Sequence, residues 1–241
     1  MIRRLFGQTR VELLLTLRRG ESVLLTFAIP VLLLAFFSKV DVLPTGSRRP
    51  VDFLFPGVLA LAVMSTAMVS LAIATGFERQ TGVLKRLGST PLSRPELLGA
   101  KTLAMVVIEA LQIVVLVAEG LALGFHFGPA SIGLAFGGAA LGTVAFAGLG
   151  LLMAGSLPAL TTLAAANGLY LVLLLLGGMV IPLAKLPSGL RAAARGLPAG
   201  ALSDVFHGAL VGTAVPGRAW LVLAVWALLA PVAAAAAFRW E

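Results

Sequence analysis

The chain has 241 residues, of which 59% are hydrophobic and 12% charged, with a mean hydropathy of +1.04 and a formal net charge of +8. A soluble domain ordinarily carries about twice that charged fraction, which excludes a water-soluble globular fold, and the absence of cysteine excludes disulfides, thiolate metal sites and cysteine nucleophiles. The cations sit in short segments between apolar runs rather than on one polar face, which points to lipid headgroups and membrane orientation and away from nucleic acid.

Residues 1–20 read as an amphipathic helix lying in the headgroup region. Arg3 and Arg4 resemble the start of a cleavable signal peptide, but Arg10, Glu12, Arg18 and Arg19 interrupt what should be its apolar core. Ile2, Leu5, Phe6, Val11, Leu14 and Leu15 share one flank of the helix instead. Six nearly uncharged stretches follow, at 22–38, 53–76, 103–123, 130–154, 159–181 and 219–238. Each is near the roughly 20 residues an α-helix needs to cross a bilayer. Pro30 should kink the first of them, which membrane helices tolerate when neighbours satisfy the freed carbonyl. In the fourth, Gly133 and Gly137, and again Gly138 and Gly142, are four apart. Such spacing marks a closely packed face, either within the chain or against a second copy.

Loop charges orient the spans. With a cytoplasmic N-terminus the inside cations are Arg3, Arg4, Arg10, Arg18, Arg19, Arg79, Lys85, Arg86, Arg94, Lys101 and Arg239. The outside set is smaller: Lys39, Arg48, Arg49, Lys185, Arg191, Arg195 and Arg218. This bias, and an even number of spans, place both termini in the cytoplasm. The preference for Arg over Lys and the abundance of Ala match a GC-rich bacterial genome, and so a bacterial plasma membrane.

Between the second and third stretches lies a compact charged insert, 77–93. A helix from Thr81 to Leu87 would set Val83, Leu84 and Leu87 on one face, and Thr90-Pro91 would end it, because the residue before proline is pushed out of the helical region. A solvated loop that only fixes topology would need the cations but not this order of glycine, apolar residues and Thr-Pro. The order Glu78, Arg79, Thr81, Gly82, Leu84, Arg86, Leu87, Thr90, Pro91, Leu92 resembles the coupling segment of ABC-2 type permeases, the membrane subunits of a class of ABC exporters. Ser93, Arg94, Glu96, Leu97 and Lys101 are also similar to that family, especially its multidrug and antibiotic-resistance branch, while Lys85 stands where many relatives carry an acid or another polar residue.

The resemblance implies an all-α membrane protein: six transmembrane helices, the interfacial N-terminal helix, a cytoplasmic coupling helix and short external helices before the last span. It implies a homodimer or heterodimer of permeases paired with separate ABC ATPase subunits, which would hold ATP and Mg. ATP-driven closure would push on the coupling residues Glu78, Arg79, Thr81, Gly82, Val83, Leu84, Lys85, Arg86, Leu87, Thr90 and Pro91. This chain carries no phosphate loop of its own. In Gly99-Ala100-Lys101-Thr102 the glycine before the lysine is missing, and Pro95 stands where the first glycine of the loop belongs.

Residues 182–217 form a mixed segment, read as external, with helical candidates at 188–195 and 201–210. In the resembled family such helices dip back into the outer leaflet. An amphipathic loop with no gating role is the alternative. His207 is expected at a surface or interface, and with His126 as its only companion it offers no metal site. Within the spans, Glu109 with Gln112 one turn on, and Asn167, are candidates for a substrate path. Glu119 lies nearer a span end, and Asn167, close to Thr161 and Thr162, also suits hydrogen bonding between helices. No catalytic set is present. Glu109 and Glu119 are ten residues apart on one helix, about 15 Å, too far for paired-carboxylate chemistry. The favoured reading is an exporter permease for an amphipathic drug, antibiotic or lipid-like molecule. The alternatives are a secondary carrier or channel using Glu109 as an ion or proton site, and a non-transporting scaffold.

Overall fold

The computed structural model describes residues 2–18, 20–40, 49–88, 93–129 and 131–237. The expected turn residues Thr90 and Pro91, most of the polar loop after the first stretch, and the last residues of the chain lie outside these. Among the described residues all regular structure is helical. In chain order the helices are α1 (Ile2–Arg18), α2 (Gly20–Lys39), α3 (Pro50–Met64), a π-helical segment (Ser65–Ser70), α4 (Leu71–Gln80), α5 (Val83–Gly88), α6 (Arg94–Ala122), α7 (Ile132–Ser156), α8 (Ala159–Leu176), α9 (Ser188–Ala194), α10 (Pro198–Val211) and α11 (Gly217–Ala237). A 3-10 turn, Leu183–Lys185, precedes α9.

The protein is an all-α membrane protein. Five helical stretches are long and apolar enough to cross a bilayer: Pro50–Gln80, Pro95–Ala122, Ile132–Ser156, Ala159–Leu176 and Gly217–Ala237. Helix α2 runs unbroken through Pro30 and carries a shorter apolar stretch, Thr26–Lys39. The six apolar runs of the sequence thus fall on six helices, with ends that differ. Helix α6 starts well before its apolar run because Ser93 caps it: the hydroxyl accepts from the Glu96 N–H, and the Glu96 carboxylate accepts from the Ser93 N–H at 2.9 Å. Helix α8 stops at Leu176, short of the expected 181, because the chain turns at Gly177-Gly178, with Gly178 at φ +68°, a left-handed conformation that glycine adopts without penalty. The turn lays Met179 against α3, where a methyl carbon on Gly57 would fall 1.9 Å from the Met179 carbonyl oxygen.

Helix α7 is the centre of the bundle. Its most extensive contact is with α11, and it also packs on α4, α10 and the π-helical segment. Its glycines make these approaches, all within this chain. A methyl carbon at Gly138 would lie 2.6 Å from Val205, at Gly148 2.5 Å from the Pro231 nitrogen, and at Gly150 2.6 Å from the Met68 carbonyl oxygen. In lipid, where apolar surfaces gain little from meeting one another, contacts of this closeness supply the packing energy. Gly133, by contrast, faces only its own N-cap serine at 4.0 Å.

Helix α1 packs on α6 with Thr9 and Glu12 buried, and leaves Phe6, Val11, Leu14 and Leu15 of its apolar flank exposed. The buried partner of Glu12 is described below. Helix α10 begins at Pro198, which suits the first helical turn because its missing N–H has no helical partner there. It is buried along most of its length between α3, α7 and α11. His207, expected at a surface or an interface, lies at the interface of α10 with α3. Its Nε2 lies 2.9 Å from the Phe53 carbonyl oxygen and its Nδ1 2.8 Å from that of Ser203, with the ring packed on Phe53.

Candidate functional site

The charged insert forms a short helix after a sharp turn. At the end of α4, the Thr81 N–H donates to the Phe77 carbonyl and the Gly82 N–H to that of Arg79. Gly82 has φ +74°, with no atom near its missing side chain, so the backbone conformation alone demands glycine. The helix therefore begins at Val83, not at Thr81 as the spacing suggested. Its apolar face is also distributed differently. Leu84 is fully buried in the core of this chain and Leu87 packs against the same core, while Val83 is exposed beside Lys85 and Arg86. Leu84 and Leu87 seat the helix on its own membrane domain. The exposed side of this helix carries Val83, Lys85 and Arg86.

Two residues before the turn tie it to the bundle. The Arg79 guanidinium donates through Nη1 to the Ala154 carbonyl and through Nη2 to that of Leu157, each at 3.0 Å. These oxygens lie at the C-terminal end of α7, where helix carbonyls lack intrahelical partners and the helix dipole favours a cation. Glu78 turns the other way. Its Oε2 lies 2.5 Å from Lys101 Nζ on α6, and the same ammonium lies 2.8 Å from Glu12 Oε2 on α1. Lys101 is 1% exposed. One buried ammonium thus holds two carboxylates from two other helices, joining α1, α4 and α6 at one point. Sequence reasoning placed Glu12 as an interruption and Lys101 as an inside cation and a family-like residue, and did not pair them. The partners are 89 and 23 residues apart in the chain, so no local pattern announces them.

Deeper in the bundle, Gln112 answers the question Pro30 poses. Proline lacks the N–H that would bond the Thr26 carbonyl four residues earlier. Gln112 Nε2 donates to that carbonyl at 2.7 Å, while Gln112 Oε1 accepts from the Thr66 hydroxyl at 3.0 Å. Thr66 sits in the π-helical segment, so one amide side chain links the proline site of α2 to the irregular turn between α3 and α4. The π-helical segment and α2 form walls of a cavity of about 380 Å³, completed by α4, α6 and α8. Asn167 lines it, its amide donating to the Leu163 carbonyl within α8 rather than between helices. Glu109 does not line it. The Glu109 carboxyl faces α7, where Thr143 Oγ1 lies 2.5 Å from its Oε2. The other carboxyl oxygen is buried without a hydrogen-bond partner among the described residues. The three path candidates are thus not brought together: Asn167 lines the cavity, Gln112 braces its wall, and Glu109 points elsewhere. Among the described residues no cluster of three metal-ligating side chains occurs.

A family model described as ABC-2 type transporter matches residues 6–210, from α1 into the last turn of α10, and so includes each of these residues. No curated protein matches the chain. The chain belongs to the ABC-2 type transporter family, multi-pass membrane components of ABC transporters that work with ATPase activity in a separate subunit.

Proposed function

We propose that this chain is the permease subunit of an ATP-driven exporter in a bacterial plasma membrane, moving an amphipathic substrate such as a drug, antibiotic or lipid-like molecule. Both termini and the insert 77–93 face the cytoplasm, 182–217 lies outside, and two permeases, identical or related, pair with two ATPase subunits that bind ATP and Mg. The observation that carries this reading is the junction at Lys101, whose partner Glu78 lies four residues before the Gly82 turn that leads into α5. A push on α5 is delivered through the Gly82 turn to residues already fixed to three other helices. Arg79 passes it to the end of α7, and Glu78 passes it through Lys101 to α6 and α1. Leu84 stops the short helix from sliding over its own domain. The carrier reading draws no support from the cavity, since Glu109 stands outside its lining.

The test is isolation of the tagged chain from its native membrane. An ABC ATPase should co-purify, and Val83→Asp should abolish that association and transport while leaving the permease folded, because the residue is exposed. A carboxylate forced into an apolar contact without a partner costs several kcal/mol. Leu84→Asp should instead damage the permease itself. A Val83→Asp variant with its ATPase bound and transport unchanged would remove α5 as the coupling element.

A further inference from the structure

We propose that the cavity between α2, the π-helical segment, α6 and α8 is a binding site for an uncharged amphiphile that carries hydrogen-bonding oxygens. Its volume, about 380 Å³, lies within the range of sites for small ligands, about 300–1,000 Å³. Apolar groups, among them Ile29, Leu61, Met105 and Ile108, supply most of the wall. No Asp, Glu, Lys or Arg occurs among the described lining residues. A charged ligand entering would lose its hydration and find no counter-ion among these residues, which disfavours it strongly.

The polar lining gives a second, independent observation. Thr66 and Thr26 lining the cavity are already engaged, Thr66 by donating to Gln112 and Thr26 through its carbonyl accepting from Gln112. Ser65, Ser70 and Tyr170 also line it, and their hydroxyls make no hydrogen bond to any described residue. A serine in a helix ordinarily satisfies itself on the carbonyl one turn back. Ser65 and Ser70 bound the π-helical segment, whose i→i+5 bonding is uncommon in helices and frequent at functional sites. These hydroxyls each offer one donor and acceptor lone pairs. They match the oxygens of an alcohol, ester or amide, and give a quaternary ammonium or a sulfonate no opposite charge to offset its lost hydration. The identity of the ligand as cargo rests on the transport reading above. Its binding does not.

The experiment uses the full chain in lipid nanodiscs without any ATPase, so failure of the coupling reading and failure of this one are separable. Three photoreactive probes share one diazirine-bearing dodecyl body and differ in their heads: hydroxyl, trimethylammonium and sulfonate. The hydroxyl probe should label peptides containing Ser65–Ser70 and Asn167–Tyr170 saturably, and the charged probes should label them only at the unsaturable level seen on the lipid-facing residues of α11. Competition by dioleoylglycerol against competition by Nile red separates a bilayer lipid from a dissolved amphiphile as the source of the same chemistry. Tyr170→Phe keeps the ring and removes a free hydroxyl, and should weaken saturation by about fivefold to tenfold. Asn167→Asp, at an exposed edge of the cavity, should admit the trimethylammonium probe. Saturable labelling by a charged probe of the unaltered chain, or labelling of α8 and α11 alike by the hydroxyl probe, overturns the proposal.

Discussion

Around Lys101 three helices meet through charge, and around α10 four meet through carbon. At the first junction a single ammonium lies between two carboxylates, and the neighbouring Arg79 grips the end of α7 through two carbonyls. At the second, Leu202 and Val205 fill the space left by Gly138 and Gly142, with α3, α8 and α11 closing the sides. The two contacts fail differently. A lysine that loses one carboxylate still has another, so the charged junction tolerates displacement of a partner. A glycine contact at van der Waals closeness has no second geometry. On the coupling proposed above, the difference suits a molecule that takes a push at one end and keeps its shape at the other.

Replacing the shared cation should break the comparison most severely. Lys101→Met leaves two buried carboxylates facing each other without an ammonium, and removal of one member of a buried ion pair typically costs about 3–5 kcal/mol. Glu12→Gln or Glu78→Gln alone leaves Lys101 paired, so each should cost far less. Thermal unfolding of the purified variants in one detergent checks this ranking. A Glu78→Gln penalty equal to that of Lys101→Met would mean that the junction behaves as one indivisible unit, and the proposed tolerance of displacement would be lost.

The glycine contacts of α7 offer the next largest effect. Gly148→Val forces side-chain carbons into the backbone of α11 at Pro231, and overpacking of this kind costs about 1–3 kcal/mol. Gly133→Val on the same helix meets open space and should be near neutral. Unfolding midpoints of the pair, measured side by side, separate close packing from the general loss of a glycine. Equal midpoints would show that α7 and α11 can part without cost.

Much of this architecture was legible because crossing a bilayer writes itself in composition: long uncharged runs fall on α3 to α4, α6, α7, α8 and α11. Helix ends were less legible. The Ser93 and Glu96 spacing is a capping box, yet it was read only as family likeness, and Gly177-Gly178 lies inside an apolar run that hydropathy alone extends to 181. The face of Val83, Leu84 and Leu87 was visible as a spacing, but spacing does not say what covers a face, and this chain covers two of the three. The Lys101 junction left no signal, because its partners meet only after the helices pack. The Gln112 bridge did leave one. Pro30 orphans the Thr26 carbonyl, and a buried amide on a nearby span is the kind of group that fills such a vacancy.

His207 sharpens the comparison, being a titratable group set inside the packed end. It belongs to α10, which is too short to span the bilayer. Burial against Phe53 pushes its pKa below the usual histidine value of 6.5, while the carbonyl oxygens of Ser203 and Phe53 and the nearby Asp204 pull it partly back. The groups facing this region from neighbouring elements are Asp204 on α10 itself, Arg218 on α11 at 3.1 Å from Asp204, and Arg195 after α9. A base whose folded pKa is depressed binds its proton more readily when unfolded. Its contribution to stability is therefore complete above about pH 6.5 and is lost as pH falls from there towards the folded value. Asp204 is shifted upward by burial, so its own contribution changes at the more acid end, above the ordinary carboxylate value of 3.8. The unfolding midpoint of the chain should thus decline below about pH 6.5, and His207→Gln, which cannot take up a proton, should flatten that decline while lowering the midpoint at pH 8 by loss of the bond to Phe53. The effect is the smallest of the three, because one ring titrates and its neighbours already offset part of the shift. An unchanged acid decline in His207→Gln would show that this ring does not carry it, and burial of His207 against Phe53 would then be a packing contact with no bearing on pH.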